Sequence, residues 1–334
     1  MRATGVGSLP GEDYPEAVKV VLGELPDLPH VPELPARGAI AQMVGRTLGI
    51  VDALDADLQP AGWRLTGSSG APGIDQRRAR SLLGQDLDVV EEQTQGYIGD
   101  FKTQVAGPWT LAASVERPRG DKILADHGAR RDLAQALAEG LGQHLRDLRR
   151  RLGSASTLIV QVDEPALSAV LRAQVPTASG FGKHRAVEPP EASETLGWVL
   201  DAATSAGAVP WVHSCAPGTP LDLLHGAGAS GLAVDLDVLD AAGHDRLAEA
   251  LEAGASVALG VVPSVAADGR PQEHQQAAKA VTGRVVRWLD MLGLDPEQYA
   301  DRLLLTPSCG LAGATPAYAR FALAVCRTAA AQLP

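Results

Sequence analysis

Short apolar runs rich in β-branched residues recur along the chain, each followed by a loop and a longer segment with apolar positions three and four apart. The runs fall at residues 3–7, 62–66, 103–106, 158–163, 209–214, 232–236, 257–262 and 303–306. The clearest amphipathic helix is predicted over 129–151, where Leu133, Leu137, Leu141, Leu145 and Leu148 share one face and charges occupy the rest. Further helices are predicted over 191–206, 220–227, 245–253, 272–292 and 316–332. Strand–helix alternation over the full length predicts an α/β protein with a parallel sheet, and eight strands predict a single (β/α)8 TIM barrel. A doubly wound open sheet is the other arrangement compatible with the pattern. The proline-rich stretch 25–38 and the stretch 42–73 are longer than plain connections, and both are read as N-terminal insertions over the barrel mouth. No linker or break in composition divides the sequence, so residues 1–334 are expected to form one catalytic domain.

Composition narrows the functional classes. Apolar residues make up 45% of the chain and charged residues 21%, enough for a sizeable core. Aromatic residues are only 4% and the formal charge is −11, which argues against a base-stacking or phosphate-binding surface and against anionic membranes. Nucleic acid and membrane are therefore not expected partners. No signal-like segment opens the sequence and no apolar run approaches the roughly 18 residues of a membrane span. Three cysteines in 334 residues are too few for a disulfide framework, so a reducing, cytoplasmic setting is expected.

In a barrel of this kind chemistry gathers where strands end. Gly7-Ser8, Asp163-Glu164, His213-Ser214-Cys215, Val234-Asp235-Leu236-Asp237 and Cys309 all follow predicted strands. His213 and Cys215 are two residues apart in extended chain, so their side chains point to one side and can share an ion. Neutral imidazole and thiolate together suit Zn2+, and Cys309 adds a third ligand if its strand comes near the first in a closed barrel. Asp235 and Asp237 both offer a fourth. Two thiolates lower the Lewis acidity of such an ion and favour binding of a substrate sulfur over activation of water. Cys326 lies in an apolar helical run and is read as core. The remaining histidines, His30 aside, fall in polar or helix-like stretches and are expected to be solvated.

With these residues in place, the chain resembles the catalytic domain of the cobalamin-independent methionine synthase family, within the wider superfamily that includes uroporphyrinogen decarboxylase. The resemblance rests on Gly7-Ser8-Leu9-Pro10, Gly107-Pro108-Trp109-Thr110, Gln161-Val162-Asp163-Glu164-Pro165-Ala166-Leu167, His213-Ser214-Cys215 and Pro307-Ser308-Cys309-Gly310-Leu311. It implies zinc held by His213, Cys215, Cys309 and a carboxylate. The family has glutamate there, and Asp235 is the preferred match because it directly follows the apolar strand. It also implies homocysteine, or a similar small thiol, gripped by Ser8, Glu33 and Asp163, with Asp163 and Glu164 as catalytic carboxylates and Trp109 near the substrate. The expected activity is methyl transfer to homocysteine from methyl-tetrahydrofolate or a methylcorrinoid, free or carried by a protein. Other expectations compatible with the residues are alkyl transfer to another small thiol and a non-catalytic zinc-binding role in methionine metabolism. The chain departs from the family in having one barrel's length, not two, and no histidine in Gly260-Val261-Val262-Pro263-Ser264.

Overall fold

Runs such as Leu-Ile-Val-Gln-Val-Asp are apolar on both faces, and the structure buries them on both faces as parallel strands. The protein is described here from a computed structural model covering residues 1–67, 72–153, 155, 157–266 and 273–334. In chain order the strands are β1 (Arg2–Ala3), β2 (Ala56–Gln59), β3 (Gly62–Leu65), β4 (Phe101–Ala106), β5 (Leu158–Asp163), β6 (Val209–Ser214), β7 (Gly231–Asp235), β8 (Ser256–Val262) and β9 (Leu303–Pro307). Seven of them form one parallel sheet in the order β1-β9-β8-β7-β6-β5-β4. Sequence neighbours are spatial neighbours throughout, as in a curling barrel rather than a doubly wound sheet.

The two sheet edges meet through residues 29–33. Lys102 N–H donates to Pro29 and Val31 N–H to Lys102, both at 2.9 Å, while Glu33 N–H donates to Gly7 and Leu9 N–H to Glu33 at 3.1 and 2.8 Å. This eighth stave was expected to be an insertion, and the strand expected at 62–66 belongs elsewhere: Gly62–Leu65 pairs antiparallel with Ala56–Gln59 in a separate hairpin. The physical reason is plain. Pro29 and Pro32 lack the N–H that a regular ladder needs, so the stave makes bridges rather than a continuous strand.

The helices are α1 (Tyr14–Glu24), α2 (Met43–Ile50), α3 (Ile74–Gln93), α4 (Pro108–Ser114), α5 (His127–Leu152), α6 (Leu167–Leu171), α7 (Pro189–Ser205), α8 (Leu221–Gly226), α9 (Ala241–Glu252), α10 (His274–Leu292), α11 (Pro296–Tyr299) and α12 (Pro316–Ala331). Gln272, the first residue of one expected helix, lies outside the described residues. Helix starts follow local chemistry: Asp126 caps α5 through the Ala129 N–H at 2.9 Å, and Asp13 caps α1 through Glu16 N–H at 3.0 Å. Among the described residues no helix is long and apolar enough to cross a membrane.

Two apolar clusters result. The larger fills the space between sheet and helices and includes Cys326, buried as expected. The smaller, Leu28, Ile159, Trp211, Ala233, Ala258 and Leu304, takes one residue from each of β5 to β9 and one from just before the stave 29–33, and plugs the barrel's interior. Lys102 faces inward beside plug residue Ile159, and toward the strand C-termini the inward positions Gln104, Gln161, Asp163 and His213 are polar and continue the same alternation. The insertion 42–67 reaches this end, because Thr47 accepts the Ala106 N–H at 2.8 Å and Trp63 accepts the Glu116 N–H at 2.9 Å.

Candidate metal centre

His213 sits one residue before the end of β6, and Cys215 one residue after it. Cys309 lies two residues beyond β9. One ligand atom from each of these three residues lies within 4.8 Å of the others. His213 Nδ1 is 3.0 Å from the Ala233 carbonyl and donates to it, which leaves Nε2 with its lone pair, buried and without a hydrogen-bond partner. The sulfurs of Cys215 and Cys309 are 2.7 Å apart, beyond the covalent length of about 2.05 Å, and both are free thiols. Their mutual hydrogen bond holds Cys309 well below the usual thiol range and pushes Cys215 up, since one proton serves two sulfurs. An orphaned imidazole nitrogen facing two paired thiols is a donor set that suits Zn2+.

Two glycines bring the third ligand in. A Cβ on Gly260 would lie 2.6 Å from the Val234 carbonyl and 2.8 Å from Ser308 Cα, so only glycine lets the Ser308-Cys309 turn close over β8. A Cβ on Gly310 would run into Ser8 Oγ. Leu311 N–H donates to the Ser8 carbonyl at 2.8 Å, which ties the first loop to the cysteine turn.

The carboxylate at β7 is less simple. Asp235 ends β7 on the inward alternation, half-buried, and burial raises its carboxyl, with the charge of Cys309 a smaller contribution. It is not one of the three residues within the 4.8 Å group, and its Oδ1 accepts the Asp237 N–H at 3.0 Å. Asp237 is exposed and paired with Arg284 at 2.7 Å, turned toward α10 and away from the sulfurs.

Beside the cysteines lies a buried polar pocket. Asp163, 6% exposed, is the register partner of His213 on the neighbouring strand. Glu33 bridges Ser8 across the first loop and lies 3.7 Å from Arg46 of α2. Burial raises the carboxyls of both acids, Asp163 to about 7, against the pull of nearby cations. Arg46 is held in turn by Asp86 of α3 at 2.6 Å. Gln104 donates to the Val31 carbonyl at 2.7 Å, and a Cβ on Gly7 would be 2.8 Å from its side chain, so Gly7 makes room for it. Ser8, Glu33 and Asp163, singled out from sequence, therefore line one mouth with the three metal-type ligands.

Two other expectations meet a different geometry. Trp109 is fully buried in α4, and its Nε1 donates to the Ala192 carbonyl of α7 at 3.0 Å. It packs the barrel's outside and does not reach the mouth. Glu164 is also fully buried; it accepts the N–H groups of Trp109 and Thr110 at 2.9 and 2.8 Å and the Thr110 hydroxyl at 2.7 Å. Both its oxygens thus close the first turn of α4. Gly107 admits it, since a Cβ there would collide with the carboxylate. His184, expected to be solvated, is buried beside Asp121 at 3.1 Å. Lys102, Gln104 and Gln161, the last named above only as part of a motif, join this pocket without a role expected from the sequence. Their signal was a polar residue at an inward position of a strand otherwise apolar on both faces.

Comparison with known proteins agrees with this picture. The family described as cobalamin-independent synthase, catalytic domain, matches residues 102–332. No curated protein matches. Among solved structures, a B12-independent methionine synthase from Shewanella sp. W3-18-1, in complex with selenomethionine, is similar with a TM-score of 0.64 and 14% identity, over 99% of this chain and 97% of that one. A methylaspartate ammonia lyase variant from Clostridium tetanomorphum is similar with a TM-score of 0.45 and 11% identity, over 99% of this chain and 58% of that one. The first supports a (β/α)8 barrel as the fold. With the match running from β4 to the end of α12, this chain belongs to the cobalamin-independent synthase catalytic-domain family.

Proposed function

We propose that the protein transfers a methyl group to the thiol of homocysteine, forming methionine. The observation that carries this reading is the convergence of His213, Cys215 and Cys309 beside the Glu33–Asp163 carboxylate pair. His213, Cys215 and Cys309 would hold Zn2+, with Asp235 the nearest candidate for a fourth ligand. Zinc in such a set supplies the charge that keeps a bound thiol deprotonated at neutral pH.

The protein's own groups do the rest. Glu33 and Asp163 receive the α-ammonium group, and Ser8, with the loop N–H groups around it, faces the α-carboxylate. The thiol proton leaves to solvent on binding. The sulfur lone pair then forms the S–CH3 bond as the donor–CH3 bond breaks, its electrons departing with the donor. Methyl-tetrahydrofolate and a methylcorrinoid, free or protein-borne, are the donor classes that fit. The lack of a histidine in Gly260-Val261-Val262-Pro263-Ser264, at the end of β8, favours a donor that leaves without protonation at that position. Residues 1–334 act as one catalytic domain in this reading, and the cytoplasm is its proposed location.

The test is metal content and homocysteine titration on the same preparation. One zinc per chain, with homocysteine binding that releases a proton, is expected. Cys309→Ser should lose both; stoichiometric zinc and full turnover in that variant would refute the ligand set. Zinc with no response to homocysteine, but binding of other small thiols, would move the assignment to a different acceptor. Zinc with no thiol binding at all would move it to a non-catalytic role.

A further inference from the structure

Lys102 is 0% exposed, inside the barrel, and is the register partner of Ile159 of the apolar plug. Its Nζ donates to the Val6 carbonyl at 3.0 Å and to Gln161 Oε1 at 2.9 Å, and among the described residues it makes no direct ion pair. A buried ammonium with no touching carboxylate is costly unless its charge is used at one remove. Gln161 provides the connection. Its amide Nε2 donates to Val6 at 2.9 Å and to Asp163 Oδ1 at 2.7 Å.

The chemistry of the three groups fixes their order. Lysine can only donate, so it selects the amide oxygen of Gln161 and turns the amide hydrogens toward Asp163. Without the ammonium the glutamine is free to flip and present its oxygen to a carboxylate. The positive charge also lies close enough to oppose the burial of Asp163 and Glu33. Gln161 occupies only Oδ1, so the second oxygen of Asp163 remains an acceptor for a ligand.

We propose that Lys102 is a positioning residue for amino-acid recognition: acting through Gln161, it holds the Asp163 carboxylate oriented toward the ammonium group of the thiol substrate. This rests on the proposed function, because it presumes that Asp163 receives an ammonium group. Lys102 itself touches no substrate.

The experiment compares two thiols on the zinc-loaded protein by calorimetry: homocysteine, and 4-mercaptobutyrate, which keeps the thiol and carboxylate but lacks the amine. Wild type should prefer homocysteine. Lys102→Met should weaken homocysteine by roughly 10- to 100-fold, the scale of a lost charged hydrogen bond, while 4-mercaptobutyrate changes by less than about twofold. Gln161→Leu, which breaks the relay and keeps the lysine, should show the same selective loss; it carries the test if Lys102→Met does not fold. A wild type that treats the two thiols alike overturns the functional reading and this role with it. A wild type that discriminates, alongside variants that discriminate equally well, overturns the role of Lys102 alone. Equal loss of both thiols in the variants makes Lys102 scaffold, which also overturns it.

Discussion

Asp163 and His213 are register partners on β5 and β6, so a carboxylate and a metal-type imidazole stand one interstrand spacing apart, about 4.8 Å. Both project inward above the same apolar plug. In the proposed reading, an amino-acid thiol held at the sulfurs beside His213 turns its amino end toward Asp163. Parallel strands repeat that offset rigidly, and this is how the barrel sets the length of molecule that fits.

Glu164 offers a test of what its burial does. Because burial outweighs its three donors, its carboxyl is raised to about 7. The raised value means the folded state holds the proton more tightly than the unfolded chain. Its contribution to stability is therefore full below the unfolded value near 4.5 and is lost as pH rises through about 7. Asp163 acts in the same direction. The melting temperature of the metal-free protein should fall between pH 5 and 8, and Glu164→Gln should make that fall shallower. Glu164→Ala, which leaves two N–H groups and a hydroxyl without their acceptor, should cost about 2–4 kcal/mol in denaturant unfolding.

Trp109→Phe separates packing from binding. It keeps most of the buried ring and loses the hydrogen bond to Ala192, so a destabilisation of about 1–2 kcal/mol is expected. Homocysteine affinity, measured on the folded variant, should stay within about twofold of wild type. A selective loss of affinity with unchanged stability would return Trp109 to the substrate side.

Gly310→Ala drives a methyl group against Ser8 Oγ. Ser8 must turn its hydroxyl away or shift its loop, at a cost of about 1–3 kcal/mol. Zinc content should hold, since the displaced group is Ser8 and the side chains of His213, Cys215 and Cys309 keep their places, while homocysteine weakens. Metal analysis and titration on one sample distinguish this from simple unfolding.

Much of the fold was legible because the period of a strand is two. Asp163, His213 and Cys215 share the inward parity of their strands, and the i, i+2 spacing of histidine and cysteine survives into the site. Helix α5 begins two residues earlier than the leucine spacing predicts, since Asp126 supplies the cap. The second stave was illegible for the opposite reason. Pro29 and Pro32 erase the alternation, while Gly62–Leu65 alternates like a barrel strand and pairs outside the barrel. Trp109 and Glu164 were placed at the mouth because their motifs adjoin strand ends. Which way a buried side chain turns there depends on α4 and α7, which no local pattern records. Lys102 and Gln161 were hidden because a polar residue within an apolar strand gives no hint of its partner across the barrel.

The stave 29–33 carries Glu33 yet is stitched to its neighbours by isolated bridges, where β4 through β8 run full ladders. The ring of strands thus has a seam, and one of the two pocket carboxylates is mounted on it. Packing closes this seam where pairing does not, since Leu28, Val31 and Leu34 around Glu33 are fully buried. The metal-type ligands stand on the continuous side.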